Sequence, residues 1–193
     1  MTSTFSTALM GLFLLSNVGT TTAPAPTWTK AAPEAPTYQE QAYSVSMTGY
    51  NAVPEQTDRD PMITASGAIS NPEITAARSI DLADELPFGT VIEIVPTDAT
   101  TTRSCGLSVV GDDIGLRVIA DTMHSRKRNQ VDILFDTDSI VRVGKKLMNS
   151  AVAFGVCTDV EIHVIGHIDM KKIPESQTQL RAVVGKANLA FAK

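Results

Sequence analysis

The chain is predicted to be a mainly β protein, a small barrel or sandwich with one or two short helices and non-barrel segments at both ends. Two observations lead there. From Ala42 onward, short apolar runs recur at intervals near ten residues, each broken by turn-forming residues, which is the texture of many short strands. Ahead of them, residues 24–41 are rich in Pro, Ala and Thr and lack apolar periodicity, the composition of an extended linker. With 193 residues, 43% of them apolar, the chain suits one domain of about 100–150 residues plus tails.

Each element follows from its local pattern. In residues 1–23 an apolar run, Ala8–Leu15, precedes the small residues Gly19–Ala23. This order fits the apolar region and processing zone of an export signal, although no Lys or Arg precedes the run. The other reading is an N-terminal segment of a protein that is not exported. The domain itself is placed at 42–168. Its expected strands are Ala42–Tyr50, Met62–Ser66, Ala76–Ile80, Thr90–Val95, Leu107–Val110, Leu116–Asp121, Val131–Phe135 and Asp159–Ile165. Short helices fit Asp81–Leu86 and part of Ser139–Phe154, where Ile140–Gly144 equally reads as strand. The tail, 169–193, is expected to be partly helical, with Leu180, Val183, Val184, Ala187 and Ala190 on a helical spacing.

Charge and composition exclude several classes. A net charge of −5 and pI of 5.1 argue against general nucleic-acid binding, whose footprint is basic. No run of 18 apolar residues is present, so no stable membrane span is expected. His163 and His167 lie four apart within and just beyond a strand-like run; that spacing does not present two ligands to one metal as it would on a helix, and no metal or cofactor is expected. Cys105 and Cys157 form one disulfide if the chain is exported, or remain two buried thiols if not.

The chemistry concentrates in Ile119–Asp136. Two apolar runs flank a polar turn, and each carries an aspartate where it meets that turn, Asp121 and Asp132. Val131, Ile133 and Phe135 alternate with Asp132, Leu134 and Asp136, a strand with one buried face. Paired as a hairpin, the two runs would bring Asp121 and Asp132 to one end and one cleft. Carboxylates at the edge of an apolar wall titrate apart, which suits acid/base work on a glycosidic bond. The bland reading is that both aspartates cap turns. Asp136, farther along the strand, reads as a surface residue. The cluster His124, Arg126, Lys127 and Arg128 is either a solvated turn or a contact for anionic groups.

Several segments, taken in order, resemble the three-aspartate (3D) domain of bacterial cell-wall lytic enzymes. Met47-Thr48-Gly49-Tyr50 is similar to the family's opening Thr-Ala-Tyr strand. Thr57-Asp58 and Ile63-Thr64-Ala65-Ser66-Gly67 match its next two segments, and Leu86-Pro87-Phe88-Gly89-Thr90 matches Leu-Pro-Phe-Gly-Thr. Val118-Ile119-Ala120-Asp121 through Val131-Asp132-Ile133 matches its paired-aspartate unit, with the same separation of eleven. Ala153-Phe154-Gly155 and the last strand close the match. Three departures stand out. Met123 and His124 occupy positions that are usually glycine, about a dozen residues are inserted between Asp136 and Ser150, and the first aspartate is Asp81 or Asp84, with Asp81 favoured.

The resemblance implies a six-stranded double-psi β-barrel, related to the barrel of membrane-bound lytic transglycosylase A and to rare-lipoprotein-A-like and expansin folds. It implies cleavage between N-acetylmuramic acid and N-acetylglucosamine, with peptidoglycan glycan strands as partner and an exported or phage-virion location. Asp132 would be the general acid/base, Asp121 its ionised neighbour and Asp81 the third catalytic aspartate. Thr48, Tyr50, Thr64, Ser66, Thr122, His124 and Asn129 would line the substrate path. The alternatives are a non-catalytic saccharide-binding barrel and a structural component of a phage particle.

Overall fold

Six strands close into a barrel because β1 (Gln41–Asn51) finds a partner on each side. The computed structural model describes residues 41–57, 60–95 and 105–191; the signal-like segment and the linker up to residue 40 lie outside them. Along one edge β1 pairs in parallel with β5 (Gln130–Phe135), and along the other it runs antiparallel to β8 (Val156–His167). Between them the wall continues through β2 (Thr75–Arg78), β4 (Arg117–Thr122) and β3 (Thr90–Val95), giving the closed order β1-β5-β2-β4-β3-β8. β2 and β4 form a second parallel pair. Two parallel pairs inside one six-stranded barrel are compatible with the double-psi arrangement.

Alternation sets what fills the barrel. Val45 and Met47 of β1, Ile92 of β3, Ile119 of β4 and Val131, Ile133 and Phe135 of β5 join one buried cluster. The opposite parity on β1 and β5 puts Tyr50 and Leu134 into a smaller cluster with Ala77 and Met123, beneath the cleft described below. Arg117 ties this wall together. Its guanidinium is buried and donates to the carbonyls of Pro72, Thr75 and Leu134, at 2.6, 3.4 and 3.2 Å. Burial pushes its pKa down to about 10. Charged donors on carbonyl acceptors are the hydrogen bonds that stabilise most.

Three expectations are corrected. Leu107–Val110 is not a strand but the start of helix α1 (Leu107–Ile114). Its valines mask a helical spacing in which Leu107, Val110 and Ile114 are buried. Met62–Ser66 forms only an isolated bridge, Ile63 to Ile69. Within Ser139–Phe154 both readings hold: a hairpin, β6 (Ile140–Val143) with β7 (Lys146–Asn149), comes before helix α2 (Ser150–Phe154), whose first turn is capped by the Asn149 side chain. In the tail, α3 (Gln177–Phe191) forms where the helical spacing predicts it. The expected helix at Asp81–Leu86 is a 3-10 turn, Ile80–Leu82.

α3 packs Leu180 and Val184 into a second apolar cluster with Ile74, Val91, Leu116, Val118 and Ile168. Cys105 and Cys157 are disulfide-bonded, with Cα atoms 4.6 Å apart and a sequence separation of 52. A cross-link over that span stabilises by about 4 kcal/mol in the chain-entropy picture. It ties the segment entering α1 to the start of β8.

Candidate active site

The aspartates meet across a strand rather than across a hairpin. β4 and β5 do not pair with each other; β2 lies between them, parallel to β4 and antiparallel to β5. The register places Asp121 opposite Ala77 on one side and Asp132 opposite the same Ala77 on the other. Two strand spacings of about 4.8 Å separate the two Cα positions. The small side chain between them leaves open space, and all three residues line a cleft of about 410 Å³.

Asp132 sits half-buried at the start of β5. Thr48, its register partner on β1, donates its hydroxyl to Asp132 Oδ1 at 2.9 Å, and the Gln130 amide donates to Thr48 Oγ1 at 2.9 Å. Burial pushes the Asp132 carboxyl up to about 6. The Thr48 hydroxyl and the Lys127 ammonium oppose that rise, and the negative charge of Asp121 adds to it least. Loss of water, more than the neighbouring charge, therefore holds the proton.

Asp121 is held differently. The backbone N–H groups of Ala65 and Thr122 donate to its Oδ1, each at 2.8 Å, and the Tyr50 hydroxyl donates to Oδ2 at 3.2 Å. Burial and the two nearby carboxylates push the Tyr50 phenol upward, so it stays a donor.

The remaining predicted residues divide between lining and bracing. Tyr50, Thr122 and His124 line the cleft beside the two aspartates. Thr64 and Ser66 flank Ala65: their hydroxyls meet at 3.0 Å, Thr64 bonds the Ala68 carbonyl, and the Ser66 N–H bonds Ala120. Their contacts fix the loop that aims Ala65 at Asp121. Asp81 is exposed and outside the cleft lining. It accepts the Asn129 N–H at 2.9 Å, and the Ser79 hydroxyl, then that N–H, hold its carboxyl below the ordinary range. Asn129 has φ of 46°, a left-handed conformation that Asn tolerates better than most residues. Asp81 and Asn129 thus brace the turn that delivers β5. Asp84 is exposed.

Ala65 and Ala77 escape sequence reasoning because each works through position. Met123 is buried in the cluster beneath the cleft, and its N–H bonds the Arg78 carbonyl. Lys127, expected only as one cation of a turn, lines the cleft. No protein-family model matches the chain, and no curated protein matches it. Among the described residues no group of His, Cys, Asp and Glu could hold a metal ion.

Proposed function

We propose that this barrel is a peptidoglycan lytic transglycosylase of the three-aspartate type. The observation that carries the reading is Asp132, a half-buried carboxyl raised to about 6 and set across Ala77 from Asp121 in an open cleft. Lytic cleavage needs one acid that protonates the leaving glycosidic oxygen. The same group, now a carboxylate, accepts the proton of the muramic C6 hydroxyl as that oxygen closes on C1. A pKa near 6 suits both halves of the cycle. Asp121, fixed by three donors, places negative charge near the sugar carbon that becomes positive. No enzyme nucleophile is required, so the carboxylate spacings of ordinary glycosidases do not apply.

The Cys105–Cys157 disulfide supports an exported site of action, since such bonds persist in oxidising compartments. Digestion of purified peptidoglycan tests the reading: mass spectrometry should find 1,6-anhydromuramic ends, absent with Asp132→Asn. Hydrolytic, reducing muramic ends would replace it with a hydrolase. A saccharide-binding barrel without cleavage is the second reading. Asp81 favours it, because it braces a turn instead of facing the cleft. Pull-down on peptidoglycan with no soluble product from the native chain would decide for binding.

A further inference from the structure

The β6–β7 hairpin, Ile140–Asn149, lies outside the barrel as a separate two-stranded sheet. Its root is fixed. The Ser139 and Ser150 hydroxyls meet at 2.6 Å, the Ser150 N–H bonds Ser139, the Asn149 amide donates to Thr137, and Val141 packs against the barrel core. Register pairs Ile140 with Asn149 and Arg142 with Leu147, so these four share the face opposite Val141. Two apolar side chains stand open on that face beside Arg142, Ile140 at 56% and Leu147 at 63% exposed, while Lys146 pairs with Val143 on the other face. Val152, 68% exposed, lies on α2, which packs against both strands.

Charge singles out the same element. Arg142, Lys145 and Lys146 are all exposed, and no Asp or Glu occurs between residues 140 and 149. Asp136 and Asp138 stand at its root rather than on it. The whole chain carries −5; without these three cations the remainder is −8. A basic patch on an acidic protein selects an anionic partner. Exposed Ile, Leu and Val interleaved with those cations select a partner with an apolar layer beneath its charge. A soluble polyanion would use the cations alone and leave the apolar side chains in water.

We infer that the β6–β7 hairpin docks the protein on an anionic lipid bilayer surface, with Arg142, Lys145 and Lys146 at the headgroups and Ile140, Leu147 and Val152 entering the acyl boundary. Such binding combines buried apolar area with electrostatic attraction and leaves the protein peripheral. It is independent of the chemistry proposed for the cleft.

Co-sedimentation of the full chain with vesicles tests it. Vesicles of phosphatidylcholine containing one part in three of phosphatidylglycerol should pellet the protein, and vesicles of phosphatidylcholine alone should pellet far less. Each cation near such a surface changes partition roughly fivefold, so R142E/K145E/K146E should weaken binding by at least on the order of 100-fold. I140S/L147S should weaken it on the order of tenfold. Raising salt to about 0.5 M should release the native protein, a measurement that needs no variant to fold. Equal pelleting on both vesicle types, pelleting that survives salt, or a charge-reversed variant that folds and binds like the native chain would overturn the inference. So would anionic binding that I140S/L147S leaves unchanged, because that outcome assigns the hairpin to soluble polyanions.

Discussion

The two sides of the cleft floor carry the same functional group in opposite settings. On the β4 side, Asp121 receives three donors, two of them backbone N–H groups that cannot turn away. On the β5 side, Asp132 receives one hydroxyl from Thr48 and is half-buried at the cleft floor. The strand between them contributes only the methyl of Ala77. One carboxylate is stabilised by donors built into a braced loop; the other is deprived of water and keeps its proton up to about pH 6. The same group thus stands in two settings that differ in donors and in access to water, with one small side chain between them.

The sharpest way to break this comparison is to remove the proton from one side only. Asp132→Asn is nearly isosteric, can still accept the Thr48 hydroxyl, and cannot deliver a proton. Release of anhydromuramic ends should fall by about 10²–10⁴-fold with the circular dichroism spectrum unchanged. Turnover within about threefold of the native protein would remove Asp132 from the mechanism.

Asp121→Asn should cost less, on the order of 10²-fold, since it removes charge stabilisation rather than the proton donor. The double variant should be no slower than Asp132→Asn alone, because groups acting as one unit lose activity non-additively. Fully additive losses would show that the two carboxylates serve separate sites.

Stability separates the two sides as well. The Asp132 carboxyl titrates at about 6 in the folded protein against an ordinary 3.8. Between those values the folded state holds a proton that the unfolded chain has lost, so stability falls as pH rises through this window. The cleft is open to water, which limits the effect to about 1–3 kcal/mol. Asp132→Asn should flatten that decline and melt no lower than the native protein at pH 8. Asp121→Ala should instead melt lower at every pH, because it strands the Ala65 and Tyr50 donors. A parallel pH dependence of melting in native protein and Asp132→Asn would refute the assignment.

Local pattern made some of this legible in the amino-acid order and left the rest hidden. β3 occupies Thr90–Val95 as its β-branched residues on either side of Glu93 indicate, and β1, β4 and β5 deviate from expectation by one residue at their ends. Their faces follow alternation, which is a property of neighbours along the chain. The pairing of strands is not. Asp121 and Asp132 flank a turn and invite a hairpin, yet β2 from more than forty residues upstream inserts between them. That choice is made by closure of the barrel, and Ala77 carries no mark of it. α1 was hidden for a different reason: Val109-Val110 raises strand propensity, while burial of Leu107, Val110 and Ile114 against the core decides for helix.

The smallest effect, and the finest test of the comparison, uses a matched pair of hydroxyl deletions. Thr48→Val removes the donor that holds the Asp132 carboxyl down. The folded group should then titrate higher, and because the acid must begin protonated, the alkaline limb of kcat/KM should move up by roughly half to one pH unit. Gln130 loses its acceptor in the same variant, so the maximum rate should fall modestly. Tyr50→Phe removes a donor from Asp121 instead, and two backbone N–H groups remain. Its alkaline limb should stay where the native protein has it, with any loss appearing as a lower plateau. Lys127→Met, which also removes an influence lowering Asp132, should follow Thr48→Val in direction. A downward limb in Thr48→Val, or equal upward shifts in Thr48→Val and Tyr50→Phe, would mean that the two sides of the floor are not chemically distinct.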